Sequence, residues 1–328
     1  MSGKKLQFAA LLMAVLLLSG CPGEETEENE EDEGNGVEEA EEILEDLLEI
    51  EENLISVMQQ ADLVPLVEGM PPPEEEEEET DEEEDEAGEE EDDQQNGEDE
   101  EDEQVYSETT MEKEILEKTV MGELLRREKE DFQEEDSDEE EGLEPPEDTE
   151  EIWEEITVST TELHNLWDAI RPDLVEEEVA PDKLEEFEER LDGLTLSGVE
   201  ENYFGILGEA NHLTALLTEI ISTTVDSTTG AAREIKYHTR SVVLASVDGN
   251  TEEALARIDF MSELKEGLED DLEDEEDGIL EEFEESLEDL SRVVEKEELE
   301  VIKIKAAELM ENIVEIIEEV EPEEGEEE

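Results

Sequence analysis

Apolar residues recur along this chain at spacings of three and four, sparsely at first and densely from about residue 150 onward. Ile152, Ile156, Leu163, Trp167 and Ile170 make one helical stripe, expected to end before Pro172. Pro181-Asp182 opens a short helix with Leu184, Phe187, Leu191 and Leu194, since proline suits a first turn. Residues 198–225 carry Tyr203, Ile206, Ala210, Leu213, Leu217 and Ile220, and residues 229–247 carry Ala231, Ile235, His238, Val242 and Ala245. Asp248-Gly249-Asn250 reads as a turn, and Thr251-Glu252-Glu253 as the capped start of a helix with Leu255, Ile258, Met261 and Leu264. After an acidic loop at 269–278, two closing helices carry Phe283, Leu287, Leu290 and Val294, then Leu299, Ile302, Ala306, Leu309, Ile313 and Ile316. No period-two alternation exceeds four residues. The pattern predicts an all-α protein: a bundle of about six to seven helices over 150–321, long enough to bury a core of its own.

Before residue 150 the stripes stand apart. Ile43, Leu47, Ile50, Leu54 and Val57 define a helix over 38–60 whose other positions are nearly all Glu, so it needs a partner. Pro65 and Pro71-Pro72-Pro73 are expected to stop it. Met111, Ile115, Leu116, Met121, Leu124 and Leu125 define a second, over 108–130, with five basic residues: Lys113, Lys118, Arg126, Arg127 and Lys129. That charge suggests folding back on the acidic runs, although a plain amphipathic helix explains it equally. Residues 74–104 are almost pure Glu and Asp, and 133–149 are again acidic with Pro145-Pro146. Such runs cannot bury a core, so 21–149 is expected to be largely disordered around two isolated helices, with a further acidic tail at 322–328.

The first residues read differently. Lys4 and Lys5 precede an apolar run from Leu6 to Leu18, interrupted once by Gln7 and too short for an ordinary membrane span. Leu18-Ser19-Gly20-Cys21 then matches the lipobox, in which small residues lie extended in a peptidase cleft and the thiol receives diacylglycerol. Residues 1–20 are thus expected to be a signal peptide and Cys21 a lipidated anchor. Cys21 is the only cysteine, which also excludes an internal disulfide. Each buried acyl methylene contributes roughly 0.8 kcal/mol to such an anchor. The expected location is the outer face of the cytoplasmic membrane.

Charge narrows the partners. The chain has 117 acidic and 19 basic residues, a formal net charge of −98. Phosphate would be repelled, so nucleic acid is excluded as a partner. The excess persists in the bundle, where residues 150–320 hold 51 acidic against 12 basic residues, a net −39. An acidic surface on an exported domain points to a saline or alkaline medium and to counter-ions, divalent cations among them, as its companions.

Signatures of catalysis are missing: there is no HExxH, P-loop, GxGxxG, GxSxG or twelve-residue calcium loop, and the chain is not expected to be an enzyme. His164, His212 and His238 fall on three different helices. They suggest a metal or haem site with a carboxylate such as Glu162 or Asp168, or else ordinary hydrogen bonding at the core edge. Around them, His164 and Trp167, Asn211 and His212, and Lys236, Tyr237, His238 and Arg240 form a polar set beside the stripes. It reads either as an interhelical network or as the lining of a groove. No cofactor is expected on the first reading.

Residues 150–320 resemble a group of helical lipoproteins of clostridial-type Firmicutes, in which a lipobox and a polar spacer precede a bundle. The resemblance rests on Trp153, His164 and Trp167 on the first helix, the Phe187-Leu191-Leu194 helix, Ala210-Asn211-His212-Leu213, Lys236-Tyr237-His238-Thr239-Arg240, and Lys303-Ile304-Lys305. It implies an envelope lipoprotein with a helical domain and no particular activity. The acidic insertions before 150 depart from that group. Taken together, these features lead to the expectation of a surface-anchored lipoprotein with a non-catalytic binding or structural domain. The alternative is a metal- or haem-binding bundle for envelope uptake or electron transfer.

The lipobox gives a direct test. Cys21→Ser should abolish incorporation of labelled palmitate and leave the precursor uncleaved; continued labelling of the Ser variant would remove the anchor from the account.

Overall fold

Local chemistry sets most helix ends. Asp148 caps the helix that follows it by accepting the amide of Glu151 at 3.0 Å. Asn250 and Glu253 close a reciprocal cap: the Asn250 side chain accepts the Glu253 amide at 3.3 Å and donates to the Glu253 carboxylate at 2.8 Å. Gly249, with φ of +70°, makes the left-handed turn that ends the helix before it. Asn202 likewise accepts the Gly205 amide at 3.1 Å where another helix starts.

The computed structural model describes residues 32–69, 118–129, 148–224, 229–271 and 277–320. In chain order the helices are α1 (Asp32–Asp62), α2 (Val64–Glu68), α3 (Gly122–Lys129), α4 (Thr149–Glu176), α5 (Pro181–Val199), α6 (Tyr203–Thr224), α7 (Gly230–Val247), α8 (Thr251–Asp271), α9 (Asp277–Val294) and α10 (Leu299–Val320). There is no strand among the described residues. Of the short unit Met1–Glu39 only the first turns of α1 are described; the compact unit runs from Ala40 to Glu328. Within it each helix from α4 to α10 packs on the next, α7 also packs on α10, α3 lies on α10 and α2 on α4.

The all-α bundle matches the periodicity, and α4 to α10 supply its seven helices. Two features differ most from the sequence expectation, beside the smaller ones that α1 already starts at Asp32 and that Pro65 sits in the first turn of α2. Helix α4 passes through Pro172 and ends at Glu176. Proline there removes one backbone hydrogen bond, but Leu174 beyond it is fully buried, and burying a leucine contributes about 1.5–3 kcal/mol. The stripe therefore outweighs the break.

The second difference concerns the early helices, which are isolated in sequence but not in space. Ile43, Leu47, Ile50, Leu54 and Val57 are all buried in the common core, together with Ile55, Met58 and Ala61. Met121, Leu124 and Leu125 join them. A core starting near 150 was expected; instead the segments 40–69 and 118–129 are part of it. The reason is that α1 is apolar over more than one narrow stripe, so it cannot be satisfied on the bundle's edge. Met111, Ile115, Leu116 and Lys113 lie outside the described residues, as do residues 1–31 with Cys21 among them, the acidic run 74–104, most of 133–149 and residues 321–328.

Exposed carboxylates line the outer faces at helical neighbour spacing, as at Glu151, Glu154 and Glu155 on α4, Glu185 and Glu189 on α5, and Glu281, Glu285 and Glu288 on α9. Each such like-charge pair costs a few tenths of a kcal/mol, and many together approach the ~5–15 kcal/mol by which domains are stable. At about 1 M salt the screening length falls to ~3 Å, which removes most of that repulsion. Thermal melts of the full chain at neutral pH should show a melting temperature that climbs from low to molar salt. A temperature independent of salt would mean that the surface charges are already balanced, and the salt-adapted reading would fail.

Candidate functional site

Helix α7 is the central element, and it is buried nearly all the way round. Positions 233, 236 and 240 turn Arg233, Lys236 and Arg240 onto one interior face, spaced by three and four. No cation can be left there without a partner, since an unpaired buried charge costs several kcal/mol. The partners come from the early segments. Glu51 of α1 accepts from Arg233 Nη1 at 2.6 Å, and Arg233 Nε donates to Thr229 Oγ1 at 3.1 Å. Glu128 of α3 accepts a short hydrogen bond from Arg240 Nη1, with Lys236 Nζ at 3.8 Å from the same carboxylate. Arg240 also donates to Asn211 Oδ1 and to Thr214 Oγ1, each at 2.7 Å. Asn211 in turn donates to Ser241 at 3.0 Å. Burial opposes ionisation of Glu51, but Arg233, Lys236 and Arg240 outweigh it and hold its carboxyl below the usual range.

A third buried carboxylate fixes the start of α3. Asp62, the last residue of α1, accepts the amides of Val120 at 2.9 Å and Met121 at 2.8 Å and a short bond from the Tyr203 hydroxyl. Burial raises the Asp62 pKa in spite of these donors and of Lys303 nearby. Burial and Asp62 together also push the Tyr203 phenol upward, so it stays protonated and donates. The α3 bases play a smaller part. Arg127 reaches Glu311 of α10 at 3.0 Å and Arg126 pairs with Glu123, both at the surface, so the buried ionic tie of α3 is made by its acid, Glu128, beside the buried Leu124 and Leu125.

The opposite side of α7 forms a cleft of about 500 Å³ with α5, α6 and α8. Tyr237 and His238 are in its wall, His212 lies across it on α6, and Phe260 closes it from α8. Ring centroids run from His212 to Tyr237 at 6.2 Å, to His238 at 4.7 Å and to Phe260 at a further 4.7 Å. Arg257 stacks over Tyr237 at 5.6 Å and approaches His238 Nδ1 at 3.5 Å. Burial and the Arg257 charge lower the His238 pKa to about 4, so its ring is neutral at ordinary pH.

The polar set predicted from the sequence thus divides in two. Asn211, Lys236 and Arg240 belong to the interior network, and His212, Tyr237 and His238 to the cleft. His164 joins neither, bonding Thr195 Oγ1 of α5 at 2.9 Å, and Trp167 stacks on Phe187 at 3.9 Å inside the core. The three imidazoles do not meet, and Glu162 and Asp168 are exposed on α4. Among the described residues no group of three or more His, Cys, Asp or Glu side chains is placed to hold a metal ion. Sequence reasoning missed Glu51, Glu128, Arg233, Thr214 and Phe260. Glu51 lies within the α1 apolar pattern, four residues after Leu47 and four before Ile55, but carboxylates are too common here for that position to stand out.

No protein-family model, no curated protein and no solved structure matches the chain. No described helix is long and apolar enough to cross a membrane.

Breaking the interior network should be costly. Arg240→Met leaves Glu128 buried against Lys236 alone and is expected to lower stability by about 3–5 kcal/mol in urea denaturation. Replacing Glu128, Lys236 and Arg240 together by apolar residues should recover much of that loss. A cost below about 1 kcal/mol for the single variant would show that the ion pair is not what holds α3 in place.

Proposed function

We propose that the chain is a lipoprotein anchored through Cys21 at the outer face of the cytoplasmic membrane, with the helical unit acting as a non-catalytic binding module in a saline or alkaline medium. The observation that carries the binding role is the cleft, where aromatic rings from three helices converge with polar groups over a volume typical of small-molecule sites. Its α7 wall is held from behind by the buried ion pairs, so the rings are preorganised and little ordering entropy is lost on binding. The lipobox, the acidic spacer and the resemblance of 150–320 to clostridial helical lipoproteins support the envelope setting.

Photo-crosslinking in native envelopes tests this reading. A benzophenone amino acid at position 260, in the cleft, should yield an adduct that is missing when it stands at 158, an exposed position on α4. The adduct should also diminish when Tyr237 is changed to Leu. Equal labelling at 158 and 260, or none at 260, would overturn the binding role of the cleft.

A further inference from the structure

We propose that the cleft takes an organic cation, with an alkylammonium group seated on the rings of Tyr237, His238 and Phe260 and its charge facing Glu219 and Glu234. This assignment rests on the binding role proposed above and names its ligand class.

The electrostatics of the walls come first. Three carboxylates line the cleft, Glu186, Glu219 and Glu234, against one lining cation, Arg190, with Arg257 beyond the lining on Tyr237 and beside His238. Arg190 is committed to Glu209 at 3.1 Å, and Lys183 outside the cleft pairs with Glu219 and lies 3.9 Å from Glu186, which leaves Glu234 as the lining carboxylate to be matched. Glu234 has only the neutral His238 imidazole, at 3.9 Å, and no cationic partner among the described residues. Burial and the neighbouring Glu219 charge raise its pKa, the mark of a carboxylate for which a cation is the missing complement. An anionic ligand would meet the same walls with repulsion.

The rings select the kind of cation. Aromatic faces attract a positive charge through their quadrupole, and do so best for ions that shed water easily. An inorganic ion keeps its hydration shell or demands several oxygen ligands, and no ligand group of that kind is present among the described residues. A quaternary alkylammonium ion has no N–H donors, is weakly hydrated, and has methyl or methylene groups to pack on Leu216 and Leu264, which also line the space. The Tyr237 ring already receives one guanidinium, from Arg257. Neutral His238 adds a ring without adding a repelling charge. A volume of about 500 Å³ is far larger than a bare ion needs and suits a small organic molecule.

Titration calorimetry on the detergent-solubilised full-length chain decides it, with choline as the probe and its neutral carbon analogue 3,3-dimethylbutanol as the comparison. Work at about 1 M NaCl suppresses counter-ion binding to the acidic surface. Choline should bind saturably at one site, at least tenfold more tightly than the neutral analogue. Glu234→Gln and Tyr237→Leu should each weaken choline about tenfold, while Glu150→Gln, on α4 and outside the cleft, should leave it unchanged. Circular dichroism melts of each variant separate lost binding from lost folding. Equal affinity for both probes overturns the cation assignment while the binding role stands. Binding that Glu150→Gln weakens as much as Glu234→Gln marks it as counter-ion condensation and also overturns it. Absence of choline binding to the folded chain overturns it too, and the crosslinking at position 260 then decides the binding role separately.

Discussion

Three cations on the interior face of α7 are the constraint around which this structure is arranged. Arg233, Lys236 and Arg240 are deeply buried, and buried cations are tolerated only with carboxylates close by. In the described interior those carboxylates are Glu51 and Glu128, separated from their arginines by 182 and 112 residues of chain. Both early segments are therefore drawn into the core. Asp62 adds a second tie between them, holding the amides that precede α3 at the end of α1. The apolar stripe of α1 supplies the driving force for docking, and the ion pairs supply its register.

The same helix has two faces with opposite tasks. A rotation of about 100° per residue puts positions 233, 236 and 240 inward and positions 234, 237 and 238 toward the cleft. Because the inward face is locked by Arg240 to Asn211, Thr214 and Glu128, α6 and α7 are bound to one another directly behind the ring cluster. Support for the site is thus built from residues that never reach it.

Charge is distributed by depth. The chain as a whole is strongly acidic, yet the buried side chains of the described residues include four cations, Arg233, Lys236, Arg240 and Lys303, against three acids, Glu51, Asp62 and Glu128. Acids on the outside repel one another and are weakened as a set by screening. The inner pairs lie away from the ions that do the screening, so salt acts on the surface while leaving the network nearly as it was. A protein of this composition can depend on salt for its exterior and still hold a specific interior.

Helix number over 149–320 and the interior stripes were legible in the residues because burial enforces a 3.6-residue period, and some limits were too, as at Pro181 and the Asp248-Gly249-Asn250 turn; the limit read at Pro172 and the cap read at Thr251 were not, since the helix runs on to Glu176 and Asn250 makes the cap. The polar stretch from Lys236 to Arg240 was legible too as a place of interest, because cations are scarce in this chain. Its partners were not. Among 117 acidic residues, nothing local distinguishes Glu51 or Glu128 from their neighbours, since what sets them apart is burial against α7, a contact between segments more than a hundred residues apart. Nor could spacing tell whether His164, His212 and His238 meet; helix packing separates the first from the other two. Local periodicity determined which residues face inward. Only the tertiary structure decided what they meet there, because pairing across the core is a property of how the helices are laid together and leaves no mark on any one of them.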